Sequence, residues 1–321
     1  VTKTPPRASL HPFDGAVGLL TRVGDTPLVR IRATVAGKIP DGVEIWAKLE
    51  GANPGGSVKD RPALAMVLDA RRRGLLTPGR RILDASSGNT GIAYAMIGAT
   101  YGHKLTLCLP ENANIERKRL LAVYGAEVVP TSPLEGSDGA IREARRLAAE
   151  HPDRYVYLDQ YSNEANWKAH YGSTGPEIWE QTNGRVTHFV ATLGTSGTFM
   201  GTTRYLREQN PSVHCASVQP DSPFHGLEGL KHMETSIVPP IYDDAYADED
   251  MGAPTEESFA LVRDLAEKDG LLVGFSAGGA LWGAMEIAKR LDEGVIVTIF
   301  PDGGERYLSE AHIWERPEED E

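Results

Sequence analysis

The chain has 321 residues, of which 40% are hydrophobic and 24% charged, enough for a sizeable core and for more than one small domain. Its formal net charge of −12 repels nucleic acid and anionic membranes and argues against a role at either. The two cysteines, Cys108 and Cys215, lie in apolar runs without metal-ligand spacing, so no metal site is expected and a reducing, cytoplasmic setting fits. No apolar run approaches the roughly 18 residues that a membrane span needs. The stretch VTKTPPRASLHPF (1–13) lacks the apolar core of a secretory signal and reads as a loose arm, and RPEEDE (316–321) reads as an acidic, solvated tail.

Short apolar runs alternate with helical segments along the rest of the chain. VEIWAKLE (43–50) reads as a strand, and the segment from Ser57 through Gly74 as a helix. RILDA (81–85) is a strand, 91–102 a helix, KLTLCLP (104–110) a strand, 115–126 a helix and EVVPT (127–131) a strand. A helix over 140–151 and a strand over 155–160 complete a βαβαβαβαβ order. Further on come a strand at 187–194, a helix through 203–209, a strand at 214–219 and a helix at 257–270. The short apolar run LLVGF (271–275), a helix at 279–291 and a strand at 295–302 follow. This alternation predicts an α/β fold with mostly parallel, twisted sheets covered by helices. In such folds ligands bind beyond the C-terminal ends of the strands.

Four loops at those positions carry chemistry. In NPGGSVKDR (53–61), Lys59 falls in the first turn of a helix, where the macrodipole opposes a cation and favours a neutral amine. A neutral lysine amine forms Schiff bases and acts as a base. The plainer alternative is a surface lysine paired with Asp60. SSGNTG (86–91) sets hydroxyls and free N–H groups at a helix start, suited to a carboxylate or phosphate or simply to capping. GTSGTFMG (194–201) makes a cup of N–H and hydroxyl donors for a phosphate dianion. GFSAGG (274–279) contains Gly-x-Ser-x-Gly around Ser276, with Asp302 and His312 following in the order of a hydrolase triad. A hydrolase needs further strands after its serine, and only one follows here. A reactive lysine, a phosphate cup, a carboxylate loop and a serine at a helix start are together what pyridoxal phosphate uses.

From GDTPLVRI (24–31) to FPDGGERYLS (300–309), the motifs NPGGSVKDR, SSGNTG, LDQYSNEAN, GTSGTFMG, FSAGGA and PDGGERYLS stand in one order. In this the chain resembles the cysteine synthase / cystathionine β-synthase family of fold type II pyridoxal-phosphate enzymes, whose fold is tryptophan synthase β-like. The resemblance implies that Lys59 is the Schiff-base lysine and moves the α-proton, and that Asn89 bonds the cofactor's ring oxygen. It implies that Ser86, Ser87, Thr90 and Gln160 grip the substrate carboxylate. Gly194, Thr195, Ser196, Gly197 and Thr198 would hold the cofactor phosphate, and Ser276 would face the pyridine nitrogen. A neutral hydroxyl there makes the ring a weaker electron sink and favours β-elimination to an α-aminoacrylate, which a thiolate then attacks. Ser86, Asp25 and Gln219 depart from the family's usual Thr, Asn and Glu without removing a catalytic group.

The expected reaction is formation of L-cysteine from O-acetyl-L-serine and sulfide. Two alternatives are O-phosphoserine, with Lys231 meeting the phosphoryl group near His225 and His232, and serine plus homocysteine. Lys231 also reads as a plain surface lysine. The resemblance further implies a homodimer, a serine acetyltransferase tail as a partner, and two domains. The smaller would span 45–155, and the larger would be 1–44 plus 156–321.

Overall fold

The computed structural model describes residues 12–86 and 88–314. Strands β1 (Leu28–Ile31) and β2 (Gly42–Leu49) precede helix α1 (Asp60–Arg72). Then β3 (Arg81–Ala85), α2 (Asn89–Tyr101), β4 (Leu105–Pro110), α3 (Ile115–Val123), β5 (Glu127–Thr131), α4 (Gly136–Glu150) and β6 (Tyr155–Tyr157) alternate. Helices α5 (Glu164–Gly172) and α6 (Thr174–Gln181) lead to β7 (His188–Thr192), α7 (Gly197–Gln209), β8 (His214–Pro220) and β9 (Glu249–Ala253). The chain continues through α8 (Thr255–Asp269), α9 (Phe275–Ala288), β10 (Glu293–Phe300) and α10 (Ala311–Trp314).

The expected α/β fold is present as two sheets. One has the order β1-β2-β10-β7-β8-β9 and the other β5-β4-β3-β6. Only the β1–β2 pair is antiparallel. Strands β3 and β4 are buried almost throughout, as expected for parallel strands covered on both faces, and the 86–91 loop leaves the C-terminal end of β3. Cys108 in β4 and Cys215 in β8 are both buried free thiols.

Three segments differ from the expectation. LLVGF forms no strand: Val273 makes one isolated bridge to Gly303, and Phe275 already begins α9. The expected strand 155–160 stops at Tyr157, because Asp159 turns into the left-handed region at φ 47°. Strand β9, EDMGA, escapes a sequence reading because an edge strand with acidic and glycine positions has no apolar alternation. The expected boundary at residue 45 falls inside β2, which pairs with β10 along its whole length.

Helix α9 is buried on nearly every side between the larger sheet and α8. Gly278 permits this, since a Cβ there would run into the backbone carbonyl of Ser258 on α8. A charge cluster fixes α1, and with it the loop that ends in Lys59. Arg61 is fully buried and bonds Glu50 at 2.7 and 2.8 Å, Glu177 at 2.6 and 2.8 Å, and Ser173 at 3.0 Å. Lys48 completes the cluster, 2.7 Å from Glu177. A buried ion pair broken on one side leaves an uncompensated charge, at a cost of about 3–5 kcal/mol. Arg61→Met should therefore lower the unfolding free energy by about 3 kcal/mol, read from the urea midpoint. An unchanged midpoint would mean that Glu50 and Glu177 do not depend on this partner.

Candidate active site

The chemically equipped loops converge at the C-terminal ends of the parallel strands, around a cavity of about 660 Å³. Lys59, Ser86, Asn89, Thr90, Gln160, Gly194, Thr195, Thr198, Lys231 and Ser276 all line it. Ser87 lies outside the described residues.

Lys59 sits one residue ahead of α1, at φ −72° and ψ −15°. Among the described residues its amine has no hydrogen-bond or ion-pair partner. Burial pushes its pKa down, Asp302 opposes that, and Arg117 adds to it. The shift runs toward the neutral amine expected from the sequence, with burial as its first cause. Asp60 is not its partner. The Asp60 carboxyl turns back to accept from Gly55 N–H at 2.5 Å, and burial raises its pKa to about 7.

In the second loop, Ser86 Oγ accepts from Gly88 N–H at 3.0 Å. Gly88 has φ 148°, and a Cβ there would meet the Arg117 side chain, so only glycine serves. Thr90 donates to Gln160 Oε1 at 2.7 Å, and Gln160 Nε2 donates to Ala85 O at 2.5 Å. These bonds tie the loop after β3 to the loop after β6. Asn89 donates to Asp302 Oδ2 at 2.6 Å and accepts from Arg306 Nη1 at 2.7 Å.

The third loop opens α7. Asn166 Nδ2 donates to Thr195 Oγ1 at 3.1 Å, and Thr198 Oγ1 lies 3.3 Å from His170 Nε2. Burial, with Arg61 and Lys59 nearby, holds His170 well below its ordinary pKa and hence neutral. Ser196 takes a left-handed backbone at φ 66°, an uncommon cost for a non-glycine residue, and Gly197 leaves room for Asn166 Oδ1. Ser276, the second residue of α9, is buried against the cavity.

Lys231 is no surface lysine. It is 4% exposed and pairs with Asp138 of α4 at 2.6 Å. The hydrolase triad is not assembled among the described residues. Asp302 Oδ2 accepts from Asn89 and from Tyr307 at 2.6 Å, no hydrogen bond joins it to Ser276, and the His312 side chain lies outside the described residues.

The family model for pyridoxal-phosphate dependent enzymes matches residues 19–302. The chain belongs to that family. It is 55% identical over 297 residues to a cysteine synthase of Aquifex aeolicus, covering 91% of each chain. It is 42% identical to cysteine synthase B of Escherichia coli, covering 89% of this chain and 93% of that one. An O-acetylserine dependent cystathionine β-synthase of Bacillus subtilis is 40% identical, with 89% and 94% covered. Among solved structures, a cysteine synthase from Entamoeba histolytica superposes with a TM-score of 0.88 at 32% identity, covering 100% of this chain and 96% of that one.

The cofactor of this family is pyridoxal phosphate, and the cavity fits it. The buried Ser196 Oγ has no hydrogen-bond partner and lies at the start of α7. The first N–H groups of a helix have no intrahelical acceptor, and among the described residues none is supplied to Thr195, Ser196 or Gly197 by another part of the backbone. Together they form a polar cradle for a phosphate.

Arg117, Arg306, Tyr307 and Asp138 were not singled out in the sequence. Arg117 is 1% exposed, yet it stands in IERKRLL, where three basic residues in a row read as a solvated face. Its one local clue is Asn114, whose side chain caps α3 by accepting from Arg117 N–H at 3.1 Å and so sets the phase of the helix.

The Asp60 carboxyl has an ordinary pKa of 3.8 and a folded one of about 7. The folded chain therefore binds the extra proton between about pH 4 and pH 7, and stability falls as the pH rises through that window. Asp60→Asn removes that loss while keeping an acceptor for Gly55 N–H. The melting temperature of the variant relative to the parent should rise from about pH 4 to about pH 7 and level off above. A difference that stays constant with pH would show that Asp60 titrates as it does in the unfolded chain.

Proposed function

We propose that this chain forms L-cysteine from O-acetyl-L-serine and sulfide, with Lys59 as the residue that holds the cofactor and moves the proton. The observation that carries the reading is the half-buried, unpaired Lys59 amine facing the phosphate cradle of α7 and the hydroxyls of Ser86 and Thr90 across one cavity. Bound pyridoxal phosphate supplies the electron sink that makes the substrate's Cα proton acidic and lets the β-substituent leave. Gly194 through Thr198 anchor its phosphate. Ser276 would face the ring nitrogen with a neutral hydroxyl, and Asn89, held by Asp302 and Arg306, would face the ring oxygen. Ser86, Ser87 and Thr90, backed by Gln160, orient the substrate carboxylate. Lys59 accepts the Cα proton and returns it after the carbon–sulfur bond has formed.

Acetylserine is favoured over phosphoserine by the state of Lys231. Its charge is already matched by Asp138, and a lysine lacks the bidentate fork that suits a phosphoryl group. The smaller unit, built on β5-β4-β3-β6, is the part that closes over the substrate. Two ion pairs that run from it to the segment after β8 support closure: Asp138 with Lys231, and Arg117 with Glu228. Closing excludes water from the reacting carbon.

The working assembly is a homodimer, the commonest symmetry for soluble enzymes. The reduced, buried Cys108 and Cys215 agree with a cytoplasmic setting, and among the described residues no helix is long and apolar enough to cross a membrane. A serine acetyltransferase tail would find apolar contacts at Leu134 and Phe224, which are 97% and 95% exposed beside the cavity.

The test is a visible spectrum of the holoenzyme with O-acetylserine, O-phosphoserine or serine added separately, followed by sulfide. Acetylserine should move the absorption to longer wavelength, and sulfide should then restore it with release of cysteine. The kcat/KM for phosphoserine and for serine should be at least about tenfold lower. A preference for phosphoserine would refute the acetylserine assignment and give Lys231 the phosphoryl group. A response to serine alone would point to the homocysteine reaction.

A further inference from the structure

The segment that follows β10 reaches the loops of three site residues at once. Val58 N–H donates to Pro301 O at 2.7 Å, and Ser57 and Asp302 form an isolated antiparallel bridge, two residues from Lys59. Gly274 N–H donates to Asp302 O at 3.1 Å, two residues from Ser276. The Asp302 side chain accepts from Asn89 Nδ2. A Cβ at Gly274 would collide with Asp302 Oδ1, so the turn into α9 is shaped around this carboxyl group.

Asp302 is 2% exposed, and a buried carboxylate needs positive charge nearby. Two of its donors, Asn89 and Tyr307, are neutral. Arg117 stands at 4.0 Å and is shared with Glu228. Among the described residues Arg117 is the one cation within 4.0 Å of it, and Lys59, whose loop bridges to Asp302 through Ser57, also feels its charge. Of the charged groups acting on Lys59, Asp302 and Glu50 favour its protonated form and Arg117 opposes it. Glu50 is already bonded to Arg61 through both oxygens, and Arg306 is turned to Asn89 and Gly55.

We propose that Asp302 is the counter-charge of Lys59, a positioning residue that keeps the loops of Lys59, Asn89 and Ser276 in register and stabilises the ammonium formed when Lys59 carries the substrate proton. The proposal rests on the assignment of Lys59 as the proton carrier. The Cα–H bond breaks and the proton goes to Lys59 Nζ; the electron pair it leaves expels acetate as the Cβ–O bond breaks; the thiolate then bonds to the β-carbon, and the proton returns from Lys59 Nζ to Cα. Asp302 gains and loses no proton in this sequence. It lowers the cost of holding a cation in a dry cavity.

The experiment measures the pH midpoint of Lys59 acetylation by acetic anhydride in the full chain stripped of cofactor, with the Lys59 peptide quantified by mass spectrometry. Asp302→Asn keeps an acceptor for Asn89 and Tyr307 but removes the charge. It should lower the midpoint by about one pH unit, and in the holoenzyme it should lower kcat about tenfold with little change in KM. Arg117→Gln should move the midpoint the other way. Loosening of the fold would raise the midpoint in both variants, because an exposed lysine returns to its ordinary value. A folded Asp302→Asn variant with an unchanged or raised midpoint would overturn the proposal. If that variant does not fold, Asp302→Ser, which also removes the charge, takes its place, and an unchanged or raised midpoint in the folded protein would overturn the proposal. Wild-type protein that releases no cysteine from acetylserine and sulfide would instead refute the proposed function, while the labelling still reads the coupling of Asp302 to Lys59.

Discussion

A lysine amine that reacts near neutral pH must give up its proton there, and taking it out of water is the force that makes it do so. The rest of the site is arranged around that requirement. A cavity dry enough to depress Lys59 also penalises every other charge in its walls, so each buried ion must be matched. Arg61 lies between Glu50 and Glu177, Arg117 between Glu228 and Asp302, and Lys231 against Asp138. Among the described residues the Lys59 amine has no such pair, and it is the group proposed to move the substrate proton.

The fold meets this requirement by bringing strand ends together. Two mainly parallel sheets contribute loops to one cavity, and each loop supplies a different function. The loop before α1 gives the amine, the loop after β3 the hydroxyls, the start of α7 the phosphate cradle, and the start of α9 a neutral hydroxyl. A neutral partner at Ser276 suits a reaction in which the β-substituent leaves promptly rather than one that stores charge in the ring. Asp302 joins three of these loops, so the geometry of the site depends on the short segment after β10 as much as on the motifs that name the family.

The glycine- and hydroxyl-rich loops were legible in the sequence because their chemistry is local. A helix start with free N–H groups and small side chains can be read from a few adjacent residues, as at 86–91 and 194–201. Buried charge was not legible in the same way. Arg117 and Lys231 look like surface cations because nothing nearby in the chain reveals Tyr307, Glu228 or Asp138, which arrive from distant elements. The same limit hid β9, whose pairing with β8 comes from the sheet rather than from an apolar pattern. It also made LLVGF look like a strand, when its last residue already turns into α9.

The identity of the reactive lysine is the claim on which the rest depends, and it can be tested in one step. The holoenzyme would be reduced with borohydride, digested, and mapped by mass spectrometry for the lysine that carries the reduced cofactor. The account predicts the added mass on the peptide containing Lys59 and on no other. The same mass on Lys231 or another lysine, or its absence from every lysine peptide, would contradict it.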